Sequence, residues 1–240
     1  MRRVANIVSV AVEEYGRGVD DKGRLTSAME YREAVDFLAD AVQQVDRLPG
    51  QYASARILLD SIVAAVALRR PPVEVKALET RFAASLGREA VLELPTRQLD
   101  MAEGRALFEA TCAGCHGLRG LSDGQKALTM NPRPAAIGDG KAMRDVSPAT
   151  MYRVLSVGIA GTQMVGYAEL LTADQRWNIV SHVLSLRTTP QRVAEGEGLF
   201  VQRCVQCHGS LGAGDGAFAR TLTRLPQEIG SLGWQASRSD

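Results

Sequence analysis

Cys112-Ala113-Gly114-Cys115-His116 returns 92 residues later as Cys204-Val205-Gln206-Cys207-His208, and the likeness extends well beyond the two motifs. Ala102-Glu103-Gly104 matches Ala194-Glu195-Gly196, and Leu107-Phe108 matches Leu199-Phe200. After the histidines, Gly120, Asp123-Gly124, Pro134 and Ile137-Gly138 fall on Gly212, Asp215-Gly216, Pro226 and Ile229-Gly230. Without a gap, 17 of the 37 positions from 102 to 138 are identical, so one folding unit is present in two copies. Asp100 with Glu103 has the spacing of a helix capping box and opens the helix that leads into the first motif.

Two cysteines three residues apart, followed directly by histidine, form a haem c attachment pattern. One helical turn spaces two thiols for addition to the two vinyl groups, and the next residue is placed to ligate the iron. Cys112 and Cys115 are therefore the expected thioethers of one haem c, with His116 as its proximal ligand; Cys204, Cys207 and His208 repeat the set for a second. These motifs contain all four cysteines of the chain. A four-thiolate zinc site is the competing reading. It would leave both histidines idle and would tie together motifs that the repeat assigns to separate units.

For the sixth ligand of the first haem the sequence offers Met164, 48 residues past His116 in the loop Gly158-Ile159-Ala160-Gly161-Thr162-Gln163-Met164, ahead of a terminal helix. A thioether favours reduced iron and raises the potential, which suits an electron carrier. Met130, Met143 and Met151 compete; Met151 has the spacing of a helix core position, and methionine often only fills gaps. His182, the remaining histidine, reads as a packing or surface residue. A ligating histidine also needs an acceptor for its second nitrogen. Pro132-Arg133-Pro134 offers either a proline-fixed carbonyl and an arginine for a haem propionate, or only a turn. Residue 148 of the first copy maps onto Asp240, and no methionine or histidine follows His208. The expectation is a chain cut inside its second unit; otherwise that haem is open on one side.

Composition narrows the class. With 28 basic and 27 acidic residues, the chain gives no warrant for a nucleic-acid surface. The longest apolar run, Ile57 to Leu68, has 12 residues and contains Asp60, short of the roughly 20 needed to span a bilayer. Arg2-Arg3 and Ile7 to Val12 make a poor secretory signal, because Glu13 and Glu14 follow without a small-residue cleavage site. Since haem c is normally attached outside the cytoplasm, the expectation is a leader removed or a misassigned start.

The first 95 residues read as helices. Val4, Ile7, Val8, Ala11 and Val12 recur at helical spacing. Ser27 with Glu30 makes a second capping box, opening a run with Ala34, Val35, Leu38, Ala41, Val42, Val45 and Leu48 on one face, ended by Pro49-Gly50. A third helix carries Ala55, Leu58, Leu59, Ile62, Val63 and Val66 and stops at Arg69-Arg70-Pro71-Pro72. A fourth carries Val75, Leu78, Phe82 and Leu86 and breaks at Gly87. Short connections favour an antiparallel bundle. Farther on, Thr172 to Arg187 is amphipathic, with Trp177, Val180, Val183 and Leu184 on one side.

The two motif-bearing units resemble class I cytochrome c domains. Glu14-Tyr15-Gly16-Arg17-Gly18-Val19 and Gly23-Arg24-Leu25-Thr26-Ser27-Ala28-Met29-Glu30-Tyr31 resemble the start of bacterial iron permeases that carry a fused periplasmic cytochrome c. Gly161-Thr162-Gln163-Met164 and Leu171 to Trp177 are similar to the methionine loop and last helix of the same proteins. The resemblance implies a periplasmic location, a redox partner protein, a membrane iron permease region following the cytochrome, and electron transfer coupled to ferrous iron oxidation. It also implies that acidic residues such as Glu13, Glu14, Asp20, Asp21, Glu30 and Glu33 bind that iron; the residues themselves read as ordinary solvated helix faces.

The sequence thus predicts an all-α protein: a helical bundle over 1–95, a cytochrome c domain over 96–188, and an incomplete second one over 189–240. Its expected activity is one-electron transfer through haem c rather than catalysis. The alternative is a haem enzyme such as a peroxidase, in which one iron keeps an open position.

Overall fold

A computed structural model describes residues 1–46 and 52–239. Among them the regular structure is helical, with only isolated bridges at Val19–Leu25 and Gly158–Val165. No described helix is long and apolar enough to cross a membrane. The chain separates into two compact units, Met1–Glu93 with Tyr152–Thr172, and Leu94–Met151 with Ala173–Asp240.

The first unit is built on four helices: α1 (Arg2–Gly18), α2 (Ala28–Val45), α3 (Ala53–Ala67) and α4 (Pro72–Leu86). α1 is buried almost all round, with Ile7, Val8, Val10, Ala11 and Tyr15 fully enclosed, as expected of a helix apolar on more than one face. Ser27 caps α2 by accepting from the Glu30 N–H at 3.4 Å. α2 presents Ala34, Phe37, Leu38, Ala41 and Val45 to the core. Val35, expected on that face, is 40% exposed. At about 100° per residue it lies a quarter turn off the stripe, and Phe37 takes the inward place. The expected core residue Leu48 and the stop at Pro49-Gly50 lie outside the described residues. α3 buries Ala55, Leu59, Ile62, Ala65 and Val66, and α4 buries Val75, Phe82 and Leu86 before ending at Gly87 with φ 56°. Val154, Val157 and Ile159 join the same core from the later stretch.

In the second unit, α5 (Met101–Thr111) leads into the single turn α6 (Ala113–His116). The chain passes between units within α7 (Pro148–Val157) and re-enters the second at α8 (Ala173–Ser185). α9 (Pro190–Arg203), α10 (Val205–His208) and α11 (Leu232–Ala236) follow, the first two repeating α5 and α6. α8 starts and stops inside the expected Thr172 to Arg187 and buries Trp177, Val180 and Val183.

α5 and α8 cross at Gly104, where a Cβ would stand 2.0 Å from the Asn178 carbonyl oxygen. Only half of the expected capping box forms. Asp100 accepts from the Ala102 and Glu103 N–H groups, both at 2.9 Å. The Glu103 carboxylate does not reach back; it accepts instead from Asn178 Nδ2 at 2.8 Å, Gln175 Nε2 at 3.2 Å and Arg97 at 2.9 Å. The Asp100 N–H goes to Asn178 Oδ1 at 2.9 Å. The cap is thus shared with the neighbouring helix, whose Asn178 serves both the Asp100 N–H and the Glu103 carboxylate.

At Gly196, the counterpart of Gly104, an added Cβ meets nothing within 4 Å, and α9 has no buried residue. Opposite outcomes follow from these two glycines. Gly104→Ala forces the helices apart and lowers stability by about 1–3 kcal/mol. Gly196→Ala only removes glycine's helix penalty and raises it by about 0.5–1 kcal/mol. Denaturation midpoints of the two variants against the parent check both signs.

Candidate functional site

The two motifs fold alike. Cys112 ends α5 and begins α6 at φ −112°, ψ −37°, and Cys204 does the same between α9 and α10 at φ −113°, ψ −32°. The backbone turns once and leaves through Gly117 at φ 80° or Gly209 at φ 75°. At Gly117 a Cβ would lie 1.7 Å from the Asp123 carboxylate, so glycine is required both by conformation and by space. The His116 and His208 carbonyls then accept from the Ser122 and Gly214 N–H groups at 2.9 and 2.8 Å. No disulfide joins the four cysteines. Burial pushes the Cys112 thiol above its ordinary pKa, opposed by its contact with the Thr111 hydroxyl at 3.3 Å.

Each histidine is held from behind. His116 Nδ1 bonds the Ala135 carbonyl at 3.0 Å, and His208 Nδ1 bonds the Gln227 carbonyl at 3.1 Å, each 19 residues on. The acceptor is one residue past the Pro132-Arg133-Pro134 stretch in which it was sought. Ile137 and Gly138 fix it there: the Gly138 N–H bonds Gly120, and the Ile137 N–H bonds Ala135 itself. With Nδ1–H donated to a carbonyl, Nε2 is the unprotonated nitrogen, available to a metal. Burial holds His116 below its ordinary pKa, with the Ala135 bond opposing, which keeps the ring neutral. In the second copy the Gln227 side chain is braced by the Trp234 indole N–H at 2.8 Å, and Arg238 stacks on that indole at 4.5 Å. A pair of thiols one turn apart with an anchored imidazole beside them fits a covalent haem c in both copies.

Met164 sits half-buried in a tight loop of the first unit, its carbonyl accepting from Ile159 at 2.9 Å and its N–H donating to the Thr162 hydroxyl at 3.1 Å. Met151 receives an Arg187 N–H at 3.1 Å. His182 is a packing residue: it is 9% exposed, and its ring lies 5.3 Å from that of Phe108.

The acidic residues divide. Asp20 clasps a turn through the Lys22 and Arg24 N–H groups, and Glu13 pairs with Arg153 at 3.3 Å. Glu14, expected on a solvated face, is 6% exposed. It lies where α1 is covered by the start of α2, and the solvated side of the helix at that point is taken by Gly16 with Glu13 and Arg17 at its edges. Arg17 pairs with one oxygen of Glu14, and Glu30 and Glu33 lie beside it. Burial, then the contact with Glu30, pushes the Glu14 carboxyl up to about 8 against the pull of Arg17. The only signal of this in the sequence is the i, i+3 pairing of Glu14 with Arg17 on a helix apolar all round.

Comparison with known proteins places these parts. The family model "Cytochrome c" matches residues 101–187, and "Iron permease-associated 4-helix bundle domain" matches residues 1–82. The chain thus carries an iron-permease-associated helical bundle followed by a cytochrome c domain, the kind of domain that holds covalent haem c and transfers electrons. Curated relatives include the Cbb3-type cytochrome c oxidase subunit FixP of Bradyrhizobium diazoefficiens, 31% identical over 49% of this chain and 42% of that protein. FixP of Sinorhizobium medicae is 25% identical over 51% of this chain and 43% of its own length. CcoP of an Azospirillum species is 26% identical over 59% and 51%. The chain therefore spans about half the length of the curated relatives it matches.

Glu14 gives a pH signature. Its pKa rises on folding from 4.5 to about 8, so its contribution to stability is complete below pH 4.5 and is lost as pH rises through about 8. With a chelator present, the parent chain loses stability across that window relative to Glu14→Gln by on the order of a few kcal/mol. Thermal melts of the two proteins from pH 5 to 9 check the sign.

Proposed function

We propose that this chain is the periplasmic electron-transfer portion of an iron-uptake permease, a dihaem carrier that accepts electrons from ferrous iron as it is oxidised. The observation that carries this reading is the joining, in one chain, of an iron-permease-associated bundle to a cytochrome c domain. The relatives are oxidase subunits by name, which supports a carrier over a peroxidase. We take 1–95 as the bundle, 96–188 as one cytochrome c domain and 189–240 as part of a second. Covalent haem attachment, normally an extracytoplasmic process, supports the periplasmic placement.

Cys112, Cys115, Cys204 and Cys207 would hold the two haems as thioethers, His116 and His208 would each supply an iron ligand, and Met164 would supply the further ligand of the first. Haem c supplies a one-electron couple between ferrous and ferric iron. The protein's own part is positional. Ala135 and Gln227 lock each imidazole in the tautomer whose Nε2 ligates, and a backbone acceptor cannot itself be protonated, so ring orientation survives changes of pH. Gly117 and Gly209 let the chain double back close to the motif, fixing the histidine between the helix turn and the following loop. The Met164 thioether has no ionisable proton, so a one-electron change would need no proton transfer at that ligand. The electron donor or acceptor besides iron is a redox partner protein, and the membrane iron permease region is the destination of the oxidised metal.

Mass spectrometry of the holoprotein is expected to find two haems, falling to one in the double variant Cys204→Ala/Cys207→Ala. The oxidised spectrum shows an iron–thioether band that Met164→Ala abolishes. Anaerobic ferrous iron reduces the haem in stoichiometric amount. Rapid peroxide turnover by a five-coordinate haem in the parent chain would instead establish the peroxidase.

A further inference from the structure

The bundle contains a group of charges that packing alone does not explain. Glu14 lies near the C-terminal end of α1, and Glu30 and Glu33 lie one turn apart near the start of α2. One carboxylate oxygen from each can be chosen so that all three lie within 4.8 Å of one another. Ionised carboxylates so close repel one another, burial strengthens the repulsion, and Arg17 meets only part of it. Glu14 is the decisive member. It is 6% exposed; Arg17 covers one of its oxygens, and the other, Oε2, is buried with no hydrogen-bond partner. Arg17 approaches Glu30 at 3.6 Å through Nε, which is itself buried and without a hydrogen bond. An unmatched acceptor in a buried place is destabilising unless something positive meets it.

We propose that Glu14, Glu30 and Glu33 form a binding site for a hard divalent cation, and that within the proposed function its occupant is ferrous iron. With all three ionised, the carboxylates against the single guanidinium of Arg17 leave two negative charges, which a divalent ion neutralises as it displaces any proton held among them. The donors are all oxygen, the choice of hard ions, and among the described residues no cysteine or histidine joins them to favour copper or zinc. Metal–oxygen bonds of about 2.0–2.2 Å put ligand oxygens across one ion about 4 Å apart, so a spread of 4.8 Å closes with small side-chain rotations. Glu30 and Glu33 are only half-buried and provide the way in, while Glu14 forms the floor. Ligands drawn from facing helices are the usual construction of metal sites in helical bundles.

The site rests on the iron reading for its occupant but not for its existence, and two ions separate these. The chelator-stripped holoprotein is titrated anaerobically with ferrous iron by calorimetry and, separately, with redox-silent manganese(II) by electron paramagnetic resonance. Both are expected to show one saturable site per chain, weakened at least tenfold in Glu14→Gln and in Glu30→Gln and unchanged in Glu195→Gln on the exposed face of α9. Circular dichroism monitors folding, and Glu33→Gln, at a half-exposed position, gives the same test should the buried variants unfold. Binding unaltered in all three variants, or no saturable binding of either ion, overturns the site. If both ions bind yet iron leaves the haem oxidised, the site stands and the electron-transfer role falls. If iron reduces the haem equally fast in the parent and in all three variants, the role stands and this site is not its entry point.

Discussion

At Gly104 the α5 and α8 backbones come so near that a single methyl group would collide with the Asn178 carbonyl oxygen 2.0 Å away. The rest of the cytochrome unit is set by that approach. Asn178 divides its amide between the Asp100 N–H and the Glu103 carboxylate, so the first turn of α5 is capped partly from another helix. Glu103 also collects Gln175 and Arg97, which pins the crossing point along both helices. Farther down α5, Phe108 is fully buried against His182. With the helix fixed at both places, the turn from Cys112 to His116 emerges in one position.

The histidines then need only one further restraint, and it comes from backbone. Ala135 and Gln227 differ in side chain but occupy the same place in the repeat, and each offers a carbonyl at hydrogen-bond distance from Nδ1. A main-chain acceptor makes few demands on residue identity, which is why the two copies agree in geometry while diverging at that position. Both rest on the same tight turn, to Gly138 or to Gly230, and in the second copy the Gln227 side chain is tied in addition to Trp234.

The bundle obeys a different constraint. Around α1 the packing is so complete that even Asn6, Ser9 and Glu14 are buried. Most of these side chains belong to a helix that would be stable in any apolar surrounding. Glu14 does not, and its raised pKa reflects the cost of keeping a carboxyl there beside Glu30. Arg17, one turn on, limits that cost without removing it.

Much of this was legible in the residues. Period, caps and breakers marked the helices of the bundle, because burial of one face imposes a 3.6-residue rhythm that survives in composition. The duplicated motif located both attachment turns, because a covalent cofactor ties cysteine and histidine spacing to the pitch of one helical turn. Val35 was misplaced because spacing alone cannot tell the edge of a stripe from its centre, and Phe37 was the bulkier neighbour. The acceptor carbonyls were missed by one residue, since any residue can supply a carbonyl and none advertises it. The burial of Glu14 is not legible in the residues, because sequence shows which face of a helix is apolar, not how many other helices surround it. The sequence by itself determined the all-α class, the repeat and the chemistry of the two motifs, for these depend on local spacing. Only the tertiary structure decided which carbonyl holds each histidine, that Glu103 serves a neighbouring helix, and that three glutamates meet, because such contacts depend on distances between segments far apart in the chain.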